Sequence, residues 1–328
     1  MKHLFVINSR SFPVQTVLDK IFKEIEDCFV DLEGEEYSIL LSRYPRNAIS
    51  LIRKKMKEFR HGERVRVYAV GGDGILYDCL NSIIGLPNME LAAVPYGNTN
   101  DFIRAFGEDK KTMFRNIRLQ VLSPSILTDV IHCGDNYALN YCTVGMESSA
   151  IMTSMKIYNQ FSQNLRKHHN INYFIYVMLF YLGGLKAVFN RKIQKYYYKI
   201  AIDKEDFSGN YASINIANGP CYGGNMNPVI TAMPNDGLLD ALFFRYKNIR
   251  RTVSLIKQFT KGKFRHYPND FTLKRLNKIE IQSDDPLLIS LDGEVFFDTS
   301  LQIEIIPQAV KIVAPDGIEF LKRANPYE

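Results

Sequence analysis

Over the first 128 residues the hydrophobic period switches back and forth between two and 3.6. Apolar runs at His3–Asn8, Glu36–Ser42, Arg64–Val70 and Leu91–Val94 read as strands. Between them Val14, Val17, Leu18, Ile21, Phe22 and Ile25 follow helical spacing, as do Ala48, Ile49, Ile52, Met56 and Phe59. Leu76, Cys79, Leu80, Ile83 and Ile84 repeat the pattern, and Gly85 supplies a stop. Strands that alternate with helices in this way form a doubly wound parallel α/β sheet. Such sheets collect ligands at the carboxyl ends of their strands.

After about Asp129 the period changes. Short alternating runs at Asp129–His132, Tyr137–Val144, Tyr196–Ile202, Tyr211–Ala217, Leu239–Arg245, Phe271–Ile281, Leu287–Leu291 and Leu301–Ile306 predict an antiparallel β-sandwich. A helical insertion, roughly Glu147–Asn190, interrupts it. At 328 residues the chain is long enough for two cores. The expected division is an α/β domain at 1–128 and a β domain at 129–310.

The formal net charge of +6 is unevenly spread. Ser148–Ile202 and Ala241–Pro268 each carry eight Lys/Arg and no acid, leaving the remainder net acidic. Such blocks suit a solvated basic face or an anionic partner, either nucleic acid or a lipid surface. No nucleic-acid-binding module is recognised, and the basic residues are interleaved with Phe, Tyr and Leu, which favours lipid. Ile171–Phe189 is nearly all apolar and about long enough to span a bilayer. Because it contains Asn172, Gly183, Gly184 and Lys186, it reads as a buried or surface-docking amphipathic helix. The five cysteines form no C-x-x-C pair, which argues against a disulfide framework or a zinc site. The opening residues read as a strand and not as a signal peptide, so the expected location is the cytoplasm, with peripheral membrane contact. His168-His169 lacks a carboxylate at ligand spacing and reads as a pair of solvated side chains.

Gly71-Gly72-Asp73-Gly74 stands between a strand and an amphipathic helix. Glycines there allow close approach of a phosphate, and a helix N-terminus offers it free N–H donors. The spacing is neither G-x-G-x-x-G nor G-x-x-x-x-G-K-[ST]. Gly97-Asn98-Thr99-Asn100-Asp101 ends the neighbouring strand, and two such strand ends, each supplying Gly and Asp, predict a phosphate and metal pocket. Leu291-Asp292-Gly293-Glu294 lies in the β region, where Asp-Gly is also an ordinary hairpin turn.

With these motifs in this order, the chain resembles the soluble bacterial diacylglycerol kinase (lipid kinase) family. Sphingosine kinases are more distant kin, as are NAD kinases and phosphofructokinases through the Gly-Gly-Asp-Gly loop. The resemblance covers Gly71–Gly74, Pro95–Asp101, Asp129, Gly219–Met226, Asn235–Asp240 and Leu291–Glu294. It implies ATP phosphates cradled by Gly71, Gly72, Asp73 and Gly74, with nucleotide contacts at Asn8, Ser42, Asp78 and Asn98. It also implies a structural Mg²⁺ on Asp236 with the backbone carbonyls of Met233 and Leu238, a hard cation on oxygen ligands. Glu294 matches the family's proton acceptor, and Asp73 and Asp101 would partner phosphate-bound Mg²⁺. The family pattern further lets residues 311–328 pack back on the first domain and leaves room for a homodimer.

The chain departs from the family at Ile75, where a Thr is usual, and at Tyr77-Asp78, where Asn-Glu is usual. Asn8-Ser9-Arg10-Ser11-Phe12 lacks the family's Pro and Gly. The expected function is therefore an ATP-dependent lipid kinase acting on a lipid hydroxyl, most simply diacylglycerol, at an anionic membrane. The alternative is a catalytically weak or inactive nucleotide- or lipid-binding relative.

Overall fold

The computed structural model describes residues 1–12, 15–60, 62–160, 169–190, 197–203, 205–224 and 226–323. Val14, Arg166, Lys167, His168, Arg191, Lys192, Lys195, Tyr196 and Asn225, named in the sequence readings or within their ranges, lie outside the described residues.

Strands β1 (Lys2–Asn8), β2 (Glu36–Ser42), β3 (Val65–Gly71) and β4 (Met89–Pro95) pair in parallel in the order β2-β1-β3-β4. Every residue of β3 and β4 is buried, as expected for strands covered on both faces. Helix α1 (Gln15–Phe29) buries Leu18, Ile21, Ile25 and Cys28 against one face. On the other face lie α2 (Asn47–Met56) and α3 (Asp73–Ile83). The chain leaves β1 toward β2 on one side and returns to β3 on the other, so a crevice opens at the carboxyl ends of β1 and β3. Short helices α4 (Lys111–Arg115) and α5 (Ile117–Leu122) complete the first layer.

The second region contains β5 (Ser125–Cys133), β6 (Asn136–Ala138) and β7 (Tyr141–Gly145), then α6 (Met146–Gln160) and α7 (His169–Val188). It continues through β8 (Tyr197–Ile202), β9 (Glu205–Asp206), β10 (Gly209–Ala217), β11 (Leu239–Arg245), α8 (Ile249–Thr260), β12 (Phe271–Leu276), β13 (Lys278–Leu291) and β14 (Glu294–Val313). All its internal pairings are antiparallel. Strand β13 serves two layers. Its first half pairs with β8 and its second with β7, while β14 runs alongside both halves. The enclosed core includes Ile131, Val144, Ile200, Ile214, Phe243, Ile281, Ile289 and Ile303.

Several sequence readings need correction here. Tyr137–Val144 is not one run: β6 ends at Ala138 and β7 begins at Tyr141, with the amides of Leu139 and Asn140 donating to Asp292 between them. Phe271–Ile281 is not one strand, because it breaks at Asn277, whose carbonyl accepts from Ile305 N (2.9 Å). Leu287–Leu291 and Leu301–Ile306 are pieces of the longer β13 and β14. After a register shift near Gln308, which has φ 52°, β14 reaches the first sheet, where Ile312 pairs in parallel with Leu91. Beyond it, Phe320 packs on Phe102 and Phe106, and Leu321 N donates to Ala105 O (2.8 Å). Helix α3 is buried almost all round because it lies between the two regions: Leu76, Cys79 and Leu80 join the first core and Tyr77 joins the second.

Candidate active site

The strand ends that the topology favours do converge. Asn8 closes β1, Gly71 closes β3, and the Tyr96–Asp101 turn follows β4. Gly71 O accepts from Tyr96 N (2.7 Å) and Gly97 N (2.9 Å), tying the two loops together. A Cβ on Gly97 would stand 2.3 Å from Gly72 Cα, so both positions need glycine simply to let the loops touch.

Asp73 opens α3, and its carboxylate accepts from Thr99 Oγ1 (2.5 Å), Asn100 N (2.9 Å) and Asp101 N (2.8 Å). Asp101 accepts in turn from Gly223 N (2.7 Å) and Gly224 N (2.8 Å), fastening the first domain to the β10–β11 connection. Burial pushes the Asp101 carboxyl up to about 7, against these amide donors. The two aspartates expected to partner phosphate-bound Mg²⁺ both line the cleft and also accept from the amides of its loops.

Across the cleft Asp292-Gly293 is a two-residue hairpin turn, with φ 47° and 91°, between β13 and β14. The Asp292 carboxylate accepts from Leu139 N (2.7 Å), Asn140 N (3.1 Å) and Tyr141 N (2.8 Å). That anchorage delivers Glu294, the first residue of β14, to the first turn of α3: a Cβ on Gly74 would lie 3.3 Å from Glu294 Oε1. A carboxylate at a helix N-terminus meets free N–H groups and a favourable dipole. Burial raises the Glu294 pKa, and Arg46 opposes that rise with its Nη2 3.4 Å from Oε2.

Arg46 was not among the residues picked from sequence. It immediately precedes α2 with φ 63°, stacks 4.5 Å from the Tyr77 ring centroid, and pairs with Asp78 Oδ1 (3.1 Å). Asp78, expected at the nucleotide, instead lies behind Arg46 and supports it. Ser42 is buried beside the first loop, its carbonyl accepting from Ser9 Oγ (3.0 Å). Ile75 points into the core beneath Gly71, so its missing hydroxyl is not a gap in the cleft wall. The cleft, about 360 Å³, is lined by Asn8, Asp73, Gly74, Asn98, Asp101, Asp292 and Glu294, among others. A larger depression of about 780 Å³ lies at the opposite strand ends around Lys2, Glu36 and Glu63, where these charges already pair.

The structural Mg²⁺ expected at Asp236 does not fit the residues present. Asp236 Oδ2 is taken by Arg275 Nη2 (3.0 Å) and by Arg323. Asp236 Oδ1 accepts in addition from Leu238 N (3.1 Å), so both carboxyl oxygens already have donors. The same two arginines reach buried Asp240. Met233 packs against the first core. Two guanidinium groups thus supply the positive charge at this loop.

Helix α7 exposes Met178, Tyr181, Leu182 and Leu185 while burying Leu179, Phe180 and Ala187. Among the described residues no helix is long and apolar enough to cross a membrane.

A parallel sheet with a glycine loop at its switch point thus faces a β-sandwich that contributes a carboxylate to the same cleft. Residues 2–130 match the diacylglycerol kinase catalytic domain, and residues 162–314 match the YegS C-terminal NAD kinase beta sandwich-like domain. The chain belongs to the diacylglycerol kinase-like lipid kinase family. It is 29% identical over 256 residues to a Staphylococcus carnosus protein named "Putative lipid kinase", covering 76% of each chain. A Staphylococcus aureus (strain JH9) protein with the same style of name is 25% identical over 263 residues, 77% of this chain and 78% of that one. The fold superposes on a crystal structure from Bacillus anthracis titled as a putative diacylglycerol kinase. The TM-score is 0.70 at 19% identity, covering 97% of this chain and 98% of that one.

Proposed function

We propose that this lipid kinase uses ATP and phosphorylates diacylglycerol, giving phosphatidic acid. The observation that carries the reading is the position of Glu294. It is brought from the β-sandwich to the N-terminus of α3, in the same cleft as the Gly71–Gly74 loop.

The backbone N–H groups at the start of α3 bind the phosphates of Mg·ATP, the donor substrate. The lipid hydroxyl oxygen attacks the γ-phosphorus as the bond to the β–γ bridging oxygen breaks, and ADP leaves. The hydroxyl proton passes to Glu294, which must be ionised to take it. Arg46 favours that ionised form. Asp73, Asp101 and Asp292 position the loops through amide hydrogen bonds, and Asp101 holds the domains together as the phosphoryl group moves. The basic stretch on α8, with the exposed apolar face of α7, supports docking on an anionic bilayer.

The test is transfer from labelled ATP and Mg²⁺ to mixed micelles carrying diacylglycerol, ceramide, sphingosine or monoacylglycerol. The reading expects label in phosphatidic acid. Label on another lipid changes the acceptor, and silence on all four, repeated with GTP and CTP, favours a non-catalytic binding protein.

A further inference from the structure

Helices α6, α7 and α8 enclose a second cavity of about 470 Å³, mostly apolar, that adjoins the cleft, with Phe180 and Tyr222 lining both. Tyr181, Leu185 and Val253 line it and are substantially exposed, so it opens on the apolar face of α7 and the basic face of α8.

Its inner wall is chemically unusual. Glu147, in the first turn of α6, is 3% exposed, lines the cavity, and has no hydrogen-bond partner at either carboxyl oxygen among the described residues. The buried hydroxyl of Tyr222, which also lines the cavity, is unpaired as well. Asn215 of β10, behind the cavity wall, is close enough to Glu147 to hold its carboxyl down as a hydrogen-bond partner does, so the unmet demand at the cavity surface is for an acceptor from Tyr222 and Glu147. Buried polar groups in folded proteins are almost always satisfied, so a cluster of unpaired ones at an apolar cavity calls for a polar atom on whatever fills it. Among the described residues no basic group bonds Glu147, and burial pushes its carboxyl up to about 8 against the Asn215 amide, which favours the protonated form that can donate. Lys257 and Lys261 line the same cavity and disfavour a cationic lipid there.

We infer that this cavity takes one acyl chain of the acceptor, with the chain's ester carbonyl hydrogen-bonded by Glu147 and Tyr222, so that the protein selects ester-linked over ether-linked lipids. The inference rests on the lipid-kinase reading and adds the linkage that the protein recognises. A site built to hydrogen-bond a ligand oxygen rejects the analogue that lacks it, because its own buried groups are then left unpaired.

The test measures binding without ATP, so it does not depend on turnover. Full-length protein is titrated with micelles carrying dioleoylglycerol or its dialkyl-ether analogue of equal chain length. The ester should bind tighter by about tenfold, the worth of one hydrogen bond. Glu147→Leu should bring the two within about twofold while binding the ether undiminished, and Glu147→Gln, which keeps an N–H donor, should retain most of the preference. Equal binding of both lipids by the native chain would overturn the inference, as would binding of neither, or a preference that survives Glu147→Leu. The native-chain comparison holds whether or not a variant folds. Ester-selective binding without phosphoryl transfer to any lipid would remove the kinase reading and leave the lipid site standing.

Discussion

Replacing Gly97 by Ala tests the loop-to-loop contact on which the cleft depends. The new Cβ would stand 2.3 Å from Gly72 Cα, 3.1 Å from Gly72 N and 3.1 Å from Asn100 Oδ1. Carbon atoms in ordinary contact are about 3.5–4.0 Å apart, so the loops must part by roughly 1 Å or more. Backbone atoms cannot swing aside as a flexible side chain does. Gly97 is not in the left-handed region, so the cost is steric and not conformational. Overpacking of this kind costs about 1–3 kcal/mol. Parting the loops stretches the Gly71 O bonds to Tyr96 N and Gly97 N and displaces the donors that Asp73 accepts from. A displacement of about 1 Å at a reacting centre is worth on the order of 10²-fold in rate. Thermal denaturation and kcat/KM for phosphoryl transfer should therefore both fall. Gly209→Ala is the control, since its Cβ would meet only Tyr211 ring atoms at 3.5 Å or beyond. A Gly97→Ala protein with native melting temperature and native kcat/KM would refute the reasoning.

Removing Arg46 as Arg46→Met takes away the charge that favours ionised Glu294, leaving burial to raise its pKa further. A base works only when deprotonated, so the acid limb of the pH–rate profile should move to higher pH; an unmoved limb would separate Arg46 from Glu294. In the native chain that limb should already lie above the ordinary glutamate value of about 4.3, because burial is the larger influence. At the Asp236 loop, a chelator should leave the apo protein's melting temperature unchanged. Arg323→Ala should lower it by ~2–4 °C, the equivalent of roughly 1 kcal/mol for a partly exposed ion-pair network. A chelator-induced drop of that size would restore a structural metal there.

The first domain was legible because its signal is local. Strands β1 to β4 were read to within a residue or two at each end, since the switch from period two to 3.6 is decided by neighbouring side chains. Long-range joins were not legible. Nothing in Leu301–Ile306 says that its strand begins at Glu294, bulges at Gln308 and ends beside Leu91 in the other sheet. At the cleft, sequence named Asp73, Asp101 and Glu294 but could not tell which way their oxygens face. An Asp within a glycine loop reads as a metal partner, and only the structure adds that its carboxylate also accepts from the amides of the neighbouring loop. Arg46 escaped notice because its importance comes from Glu294, 248 positions away in the chain, and from Asp78 and Tyr77 beneath it. Asp236 misled for the opposite reason: its loop motif is present, but Arg323 comes from the end of the described chain.

The most direct measurement is phosphoryl transfer from labelled ATP to dioleoylglycerol by native protein and by Glu294→Gln, with nucleotide binding measured alongside. The amide keeps the shape of the side chain and removes its basicity. Labelled phosphatidic acid from the native chain, lost in the variant while nucleotide affinity holds, is the predicted result. Equal turnover by both proteins would contradict Glu294 as the proton acceptor.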